Sequence, residues 1–426
     1  MRIDSSSEEL VAMFEWARDR ALRWAHPAGS RGPLNVDERQ PHGTGEGVYL
    51  PSYWAGYAHR SGFYLRDFVH QLPGAHLLGL HAANLAMLRC FAASATEEHG
   101  HRPVWAFNFD GSYLSIDYRG PDAFVREVPA VYELVEAGAA AYRWTGDRSY
   151  VDDPVLWDYY RRAVDLPPTA MGTGIFDGTA TYNEHDGEPL SVAGDGVAAQ
   201  YAAFHAMAEL SRARGLDGDG YERRAHDLRR RFASEWKGVR GFTRDGTPVT
   251  GWGMESSWFP ALKRLTADED LLDHIDAQTR GPGRPHNVEA WTYLPDTFFR
   301  HGRIETAWRW MREIFASREG EHVAGGRNGD YPEVSFTLVS QVVEGLLGVR
   351  PHGDAIVTEP SLPAGVDWLS VSGIPVGGGS VAVRHEGGTT TLTNLSRHLT
   401  YTWTACGLTQ RVPPGATLKA RRTGTA

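Results

Sequence analysis

Residues 63–71 read FYLRDFVHQ: Arg66 and Asp67 stand side by side in an aromatic run, and His70 follows the aspartate at helical spacing. Buried charges persist only when they are paired or put to use. The pair therefore reads either as an ion pair on a helix rim or as the floor of a binding pocket. Carboxylates beside aromatics and glycines recur in NFDGSYLSIDY (108–118), GIFDGTATYNEHDGEPLSVAGDG (174–196), GWGMESSWFP (251–260), PHNVEAWTYLPD (285–296) and NGDYPEVSF (328–336). Acids bind pairs of hydroxyls and aromatic faces stack on C–H groups, so this composition suits a sugar. Two acids in different surroundings can separate into a proton donor and a base. Hydrolysis of a glycosidic bond needs such a pair, about 6.5–9.5 Å apart for inversion and about 5–5.5 Å for retention.

Each candidate also has a bland reading. Glu255 lies between Trp252 and Trp258. A carboxyl held against rings has its pKa raised, as a general acid requires; a first-turn Glu favoured by the helix dipole is the alternative. Glu289, beside Trp291 and His286, has the same two readings. Glu255 and Glu289 are the expected acid–base pair, in either order, with Glu184 in reserve and Asp67 as a further catalytic candidate. Asp67 and Arg66 are expected to hold the non-reducing sugar, and the Arg66 fork could pair with a carboxylate. Trp54, Trp252, Trp258 and Trp291 are the expected stacking faces. Asp330 and Glu333 flank Tyr331-Pro332 and read as substrate contacts or, for Glu333, as a first-turn acid. Asp110 reads as a substrate contact or a turn residue. Asp195 reads as a helix cap. His59, His76 and His81 read as core or rim histidines. No HExxH or comparable ligand pair occurs, and neither metal nor cofactor is expected.

These residues need a frame. Helical stripes run through residues 1–350: Leu10, Phe14, Ala17 and Ala21; Val128, Val131, Tyr132 and Val135; Val197, Tyr201 and Phe204; Leu338, Val342 and Leu346. Long connections rich in Gly, Trp and acids alternate with short links at 73–74 (PG), 145–150, 215–220, 266–270 and 301–302. That pattern predicts five helical hairpins, with the helix after 333 and the helix at 8–24 closing a sixth. The expectation is an (α/α)6 toroid whose long loops share one cavity. An open superhelix of repeats ranks second, because no fixed-period repeat is visible. From about 352 the chain is rich in Val and Thr, cut by Gly and Pro, with HEGGTTT as a hairpin. We expect a catalytic domain over 1–350 and a small C-terminal antiparallel β-sandwich over 351–426.

YPEVSFTLVSQVVEGLLGVRPHGDAIVTEPSLP resembles the closing segment of six-hairpin glycosidases, notably the bacterial α-L-rhamnosidase-like branch. FYLRDFVHQLPGAHLLGL is similar to the Arg-Asp motif near an early inner helix of these barrels, where the acid faces the sugar. RPHNVEAWTYLPDTFFRHGR resembles their late inner helix, which begins at the cavity. The resemblance spans most of residues 50–370. It implies a glycoside hydrolase; a cup that admits a chain end implies exo action, and we expect inversion.

The totals exclude other classes. The net charge of −10 repels phosphate backbones, so nucleic acid is not an expected partner. Cys90 and Cys406 are the two cysteines, too far apart in sequence for metal or redox spacing. The N-terminal segment reads as an amphipathic helix rather than a signal peptide, and no apolar run is long enough to span a membrane. A cytoplasmic enzyme acting on an oligosaccharide or glycoside is expected. Two alternatives remain: a polysaccharide lyase or sugar epimerase, in which Tyr64, Arg66 and His70 would serve, and a non-catalytic carbohydrate-binding protein.

Overall fold

The computed structural model describes residues 1–170, 180–182 and 190–421. Local signals start and stop the helices. Ser7 caps α1 (Glu8–Arg23) by accepting the Leu10 N–H. The next hairpin is α2 (Leu65–Leu77) and α3 (His81–Ser94). Then α4 (Val128–Thr145) opens with Pro129 and ends on Gly146 in the left-handed region, φ 65°. A single turn, α5 (Ser149–Asp152), leads to α6 (Pro154–Ala163), capped by Asp153. Next come α7 (Gly194–Ala213) with α8 (Asp219–Glu235), and α9 (Glu255–Leu262) with α10 (Glu269–Arg280). Last are α11 (Val288–Phe299), capped by Asn287, α12 (Ile304–Ser317) and α13 (Pro332–Ser340).

Among the described residues, α2, α4, α7, α9, α11 and α13 each pack on the next, and α13 returns to α2. These inner helices are buried on most faces; α4 and α7 each bury about three quarters of their positions. The outer helices keep a polar face, and α8 buries only Ala225. The expected sixth pair exists: α13 packs on α1. The ring is closed, so the open superhelix is ruled out.

Some details differ from the expectation. Pro73 and Gly74 do not link two helices; both lie inside α2, and the link is Leu78–Leu80. Gly74 serves the helix crossing instead, because a Cβ there would run into the Phe336 carbonyl oxygen of α13. The long connections also carry short strands, such as Leu190–Ala193, which pairs with Val239–Thr243.

The C-terminal region forms two sheets. One has the order Arg2–Ser5, Trp368–Val376, Gly379–Glu386, Thr389–Asn394, Thr417–Arg421. The other has the order Val349–His352, Ala355–Thr358, Tyr401–Ala405, Leu408–Val412. Gly387 and Gly388, at φ 53° and 74°, make the tight turn expected at HEGG. Two features escape the sequence. The first strand comes from the N-terminus, pairing Ile3 with Val371. Ala355–Thr358 runs parallel to Tyr401–Ala405, so the second sheet is mixed. The sheets share a core with α1, with Leu77 at the end of α2 and with Trp144 at the end of α4. The β region thus covers the C-terminal ends of the inner helices and leaves their N-terminal ends at the other mouth.

Candidate active site

Each inner helix carries one acid at its cap or in its first turn: Asp67, Glu127, Asp195, Glu255, Glu289 and Glu333. A helix N-terminus favours a negative group. Since the six helices begin at the same end of the ring, six carboxylates far apart in sequence gather around one mouth.

Arg66 stands among them. Its Nη1 donates to the Tyr182 carbonyl at 3.2 Å and to Glu127 at 3.4 Å, and its Nη2 lies 3.9 Å from Glu289. The guanidinium also lies 5.1 Å from the Tyr182 ring and 5.8 Å from the Trp105 ring. Glu289 accepts from the Asn287 side chain, whose own oxygen accepts the Glu289 N–H at 3.3 Å and meets His322 at 3.1 Å. Cap and acid thus fix each other.

Glu255 sits in a different environment. It is 6% exposed, and its Oε2 has no hydrogen-bond partner. Burial raises its pKa to about 7, helped by Asp195 and Glu289 and opposed by Arg66. The residue before it, Met254, has φ 47°, a strained value for a non-glycine that re-aims the chain into α9. Asp67 accepts from the Tyr331 hydroxyl. Burial first, then Glu333 and Glu289, push Asp67 up to about 8 against Arg66 and Tyr331. Asp195 accepts the Thr181 hydroxyl and the Tyr182 N–H, both at 2.7 Å, and burial raises it to about 7.

Behind this ring His70 bonds Glu333 through Nδ1 and Asp296 through Nε2 at 3.1 Å. It stacks on Tyr293 with centroids 3.7 Å apart. Burial disfavours the imidazolium, but Glu333 and Asp296 outweigh it and raise His70 to about 9. Thr292 also donates to Glu333, at 2.8 Å. On the far side of His70 lies a hollow of about 470 Å³, lined by Glu133, Lys263, Tyr293, Asp296, Glu344 and apolar side chains such as Leu72 and Phe299. It occupies the end of the ring toward the β region, away from the six first turns.

The structure sorts the expected residues. Asp67, Arg66, Glu255, Glu289, Glu333 and His70 come together. Glu184 lies outside the described residues. Trp258 is 0% exposed and has no face to offer a ligand, so its expected stacking role is corrected: it packs in the core beside Trp252. Trp252 donates to the Gly283 carbonyl and Trp291 to the Pro285 carbonyl, with Arg284 over the Trp291 ring. Trp54 joins Trp24, His26 and Phe109 in a loop cluster. Asp330, expected as a substrate contact, pairs with Arg20 of α1, and Asp110 makes a local turn by accepting from Ser112. Tyr64 is buried and accepts from Arg60 at 2.8 Å, and His286 is exposed. The sequence reading did not single out Glu127, Tyr57, Asn287 or Asp296. Tyr57 lies against Tyr331 and His322, and its pKa is raised first by Glu289. The available signal for Glu127 was its place just before Val128-Pro129, a helix start like those of the other five acids.

The described residues hold no cluster of three or more His, Cys, Asp or Glu fit for a metal ion, and none of their helices is long and apolar enough to cross a membrane.

No family model matches the sequence, and no curated protein does. Solved structures do. A GH78 family rhamnosidase of Bacillus sp. GL1 superposes with TM-score 0.60 at 14% identity, over 90% of this chain and 40% of that one. An α-L-rhamnosidase of Streptomyces avermitilis, complexed with L-rhamnose, gives 0.57 at 14%, over 94% of this chain and 38% of that one. A kojibiose phosphorylase candidate from the human microbiome gives 0.59 at 9%, over 100% of this chain and 67% of that one. The chain therefore has the six-hairpin glycosidase-like fold, and it spans about two fifths of the length of these rhamnosidases.

Proposed function

We propose that this chain is a glycoside hydrolase, exo-acting and inverting, that removes a terminal sugar from an oligosaccharide or glycoside. The observation that carries the reading is the gathering of six acids at the N-terminal ends of the inner helices, four of them close to Arg66, with Glu255 and Glu289 in opposite surroundings. Glu255, buried and holding its proton up to about pH 7, is the general acid. Glu289, beside Arg66 and Asn287, is the general base. Water attacks the anomeric carbon and gives its proton to Glu289 as the carbon–oxygen bond breaks. The leaving oxygen takes the proton of Glu255. Asp67, with Tyr331 behind it, binds sugar hydroxyls, and Tyr57 offers a ring face. Localisation to the cytoplasm remains part of this proposal.

The lyase alternative loses its support, because Tyr64 is buried against Arg60 and the Arg66 fork is already engaged. The test is a panel of aryl glycosides assayed with the wild type, Glu255→Gln and Glu289→Gln. Either change should lower kcat about 100- to 10,000-fold on the substrate cleaved, and proton NMR of the first product should show the opposite anomer. Full activity in both variants, or a product absorbing near 235 nm, would sink the proposal.

A further inference from the structure

The sequence raises Arg66 as a clamp for a sugar carboxylate, and the structure gives it other partners. Its Nη1 serves Glu127 at 3.4 Å and the Tyr182 carbonyl at 3.2 Å, while Nη2 faces Glu289 at 3.9 Å. The side chain is 17% exposed, and the Tyr182 and Trp105 rings flank the guanidinium. Bidentate recognition of a carboxylate needs two parallel N–H groups of one edge aimed at the ligand. The edge holding Nη1 is taken, and Nη2 is shared with an acid of the ring.

Among the described residues, two further cations near the mouth are engaged. His70 sits between Glu333 and Asp296, and Arg60 pairs with Glu38 at 2.8 Å. Against them stand the carboxylates of Glu127, Glu289 and Glu333, while burial keeps Asp67, Asp195 and Glu255 protonated to about pH 7 or above. A sugar with a carboxylate at C5 would bring one more negative charge into this ring. Like charges placed together at an interface cost several factors of ten in affinity. A neutral hydroxymethyl or methyl group at the same carbon meets no such penalty, and neutral hydroxyls find acceptors on every side.

We infer that Glu127 is a specificity-determining residue: by occupying Arg66 it reserves the site for uncharged sugars and excludes uronates. The inference rests on the glycoside hydrolase reading and adds the substrate class to it. Glu127 acts from the cap of α4, a position that needs no contact with the reacting bond.

The test uses matched sugars that differ only at C6: D-glucose with D-glucuronate, D-galactose with D-galacturonate and D-mannose with D-mannuronate, with L-rhamnose as a further neutral probe. Calorimetric titration of the full chain should show that each uronate binds on the order of 100-fold more weakly than its neutral partner. Glu127→Gln removes the negative charge paired with Arg66 and should narrow that ratio about tenfold. Equal or tighter uronate binding by the wild type overturns the inference, as does an unchanged ratio in a Glu127→Gln variant whose thermal unfolding is normal. If that variant does not fold, Arg66→Gln decides: the ratio should stay as in the wild type, and a specific loss of uronate binding overturns the inference. If no sugar of any pair binds, nor L-rhamnose, the functional reading itself falls and takes this inference with it. Uronate binding without neutral preference removes the inference alone.

Discussion

Replacing Glu255 by Gln should remove activity and stabilise the fold at the same time, by an amount that depends on pH. The acid is 6% exposed, with one oxygen unpartnered. Burial raises its pKa from 4.5 to about 7, with Arg66 opposing. Between those two values the unfolded chain has released the proton and the folded chain still holds it. Folding stability therefore falls as pH rises through this window, and the whole loss is present above about pH 7. The shift corresponds to roughly 3 kcal/mol. Glutamine keeps the shape and has no proton to lose. The gain should be near zero at pH 4.5, grow to about pH 7 and level off near roughly 3 kcal/mol. For 426 residues that is about 3 °C in Tm. Urea and thermal unfolding of both proteins, from pH 4.5 to 8.5 at one ionic strength, measure it. A stability difference that does not change with pH would refute the assignment of Glu255 as a desolvated acid, whatever happens to activity. A gain that follows the predicted curve would show that the site keeps a buried proton at the expense of stability, as functional sites commonly do.

Three further outcomes follow from the same geometry. Gly74→Ala places a Cβ against the Phe336 carbonyl where α2 crosses α13, and should cost about 3 kcal/mol in urea unfolding; a neutral result would refute that close approach. Asp296→Asn removes one of the two carboxylates that hold the His70 proton, so the His70 midpoint in nitrogen-15 NMR should fall below about 9; an unmoved midpoint would refute the pairing. Tyr331→Phe removes a donor that favours the Asp67 carboxylate, so the Asp67 midpoint should rise further above the usual aspartate range in carbon-13 NMR; a fall would refute the contact.

Much of the frame is readable from local pattern. Apolar stripes at helical spacing mark α1, α4 and α7 because a helix repeats its face every few residues. The alternation of short and long connections follows from hairpins that return at one end and open at the other. Gly387-Gly388 marks its turn because two successive left-handed residues favour glycine. Pro73-Gly74 misleads for a related reason: a glycine required by a neighbouring helix looks, in sequence, like one required by a turn.

The sequence by itself determined where helices begin and that acids stand at several of those beginnings, because capping and periodicity act within a few residues. Only the tertiary structure decided what each acid faces. Asp330 meets Arg20 and turns away, while Glu333, three residues later, meets His70 and joins the ring. Trp258 vanishes into the core, and Glu255, three residues earlier, keeps an unpartnered oxygen. The partners that settle burial and charge come from positions tens to hundreds of residues away. A side chain's chemistry depends on its distance in space to those partners, and only closure of the ring sets that distance.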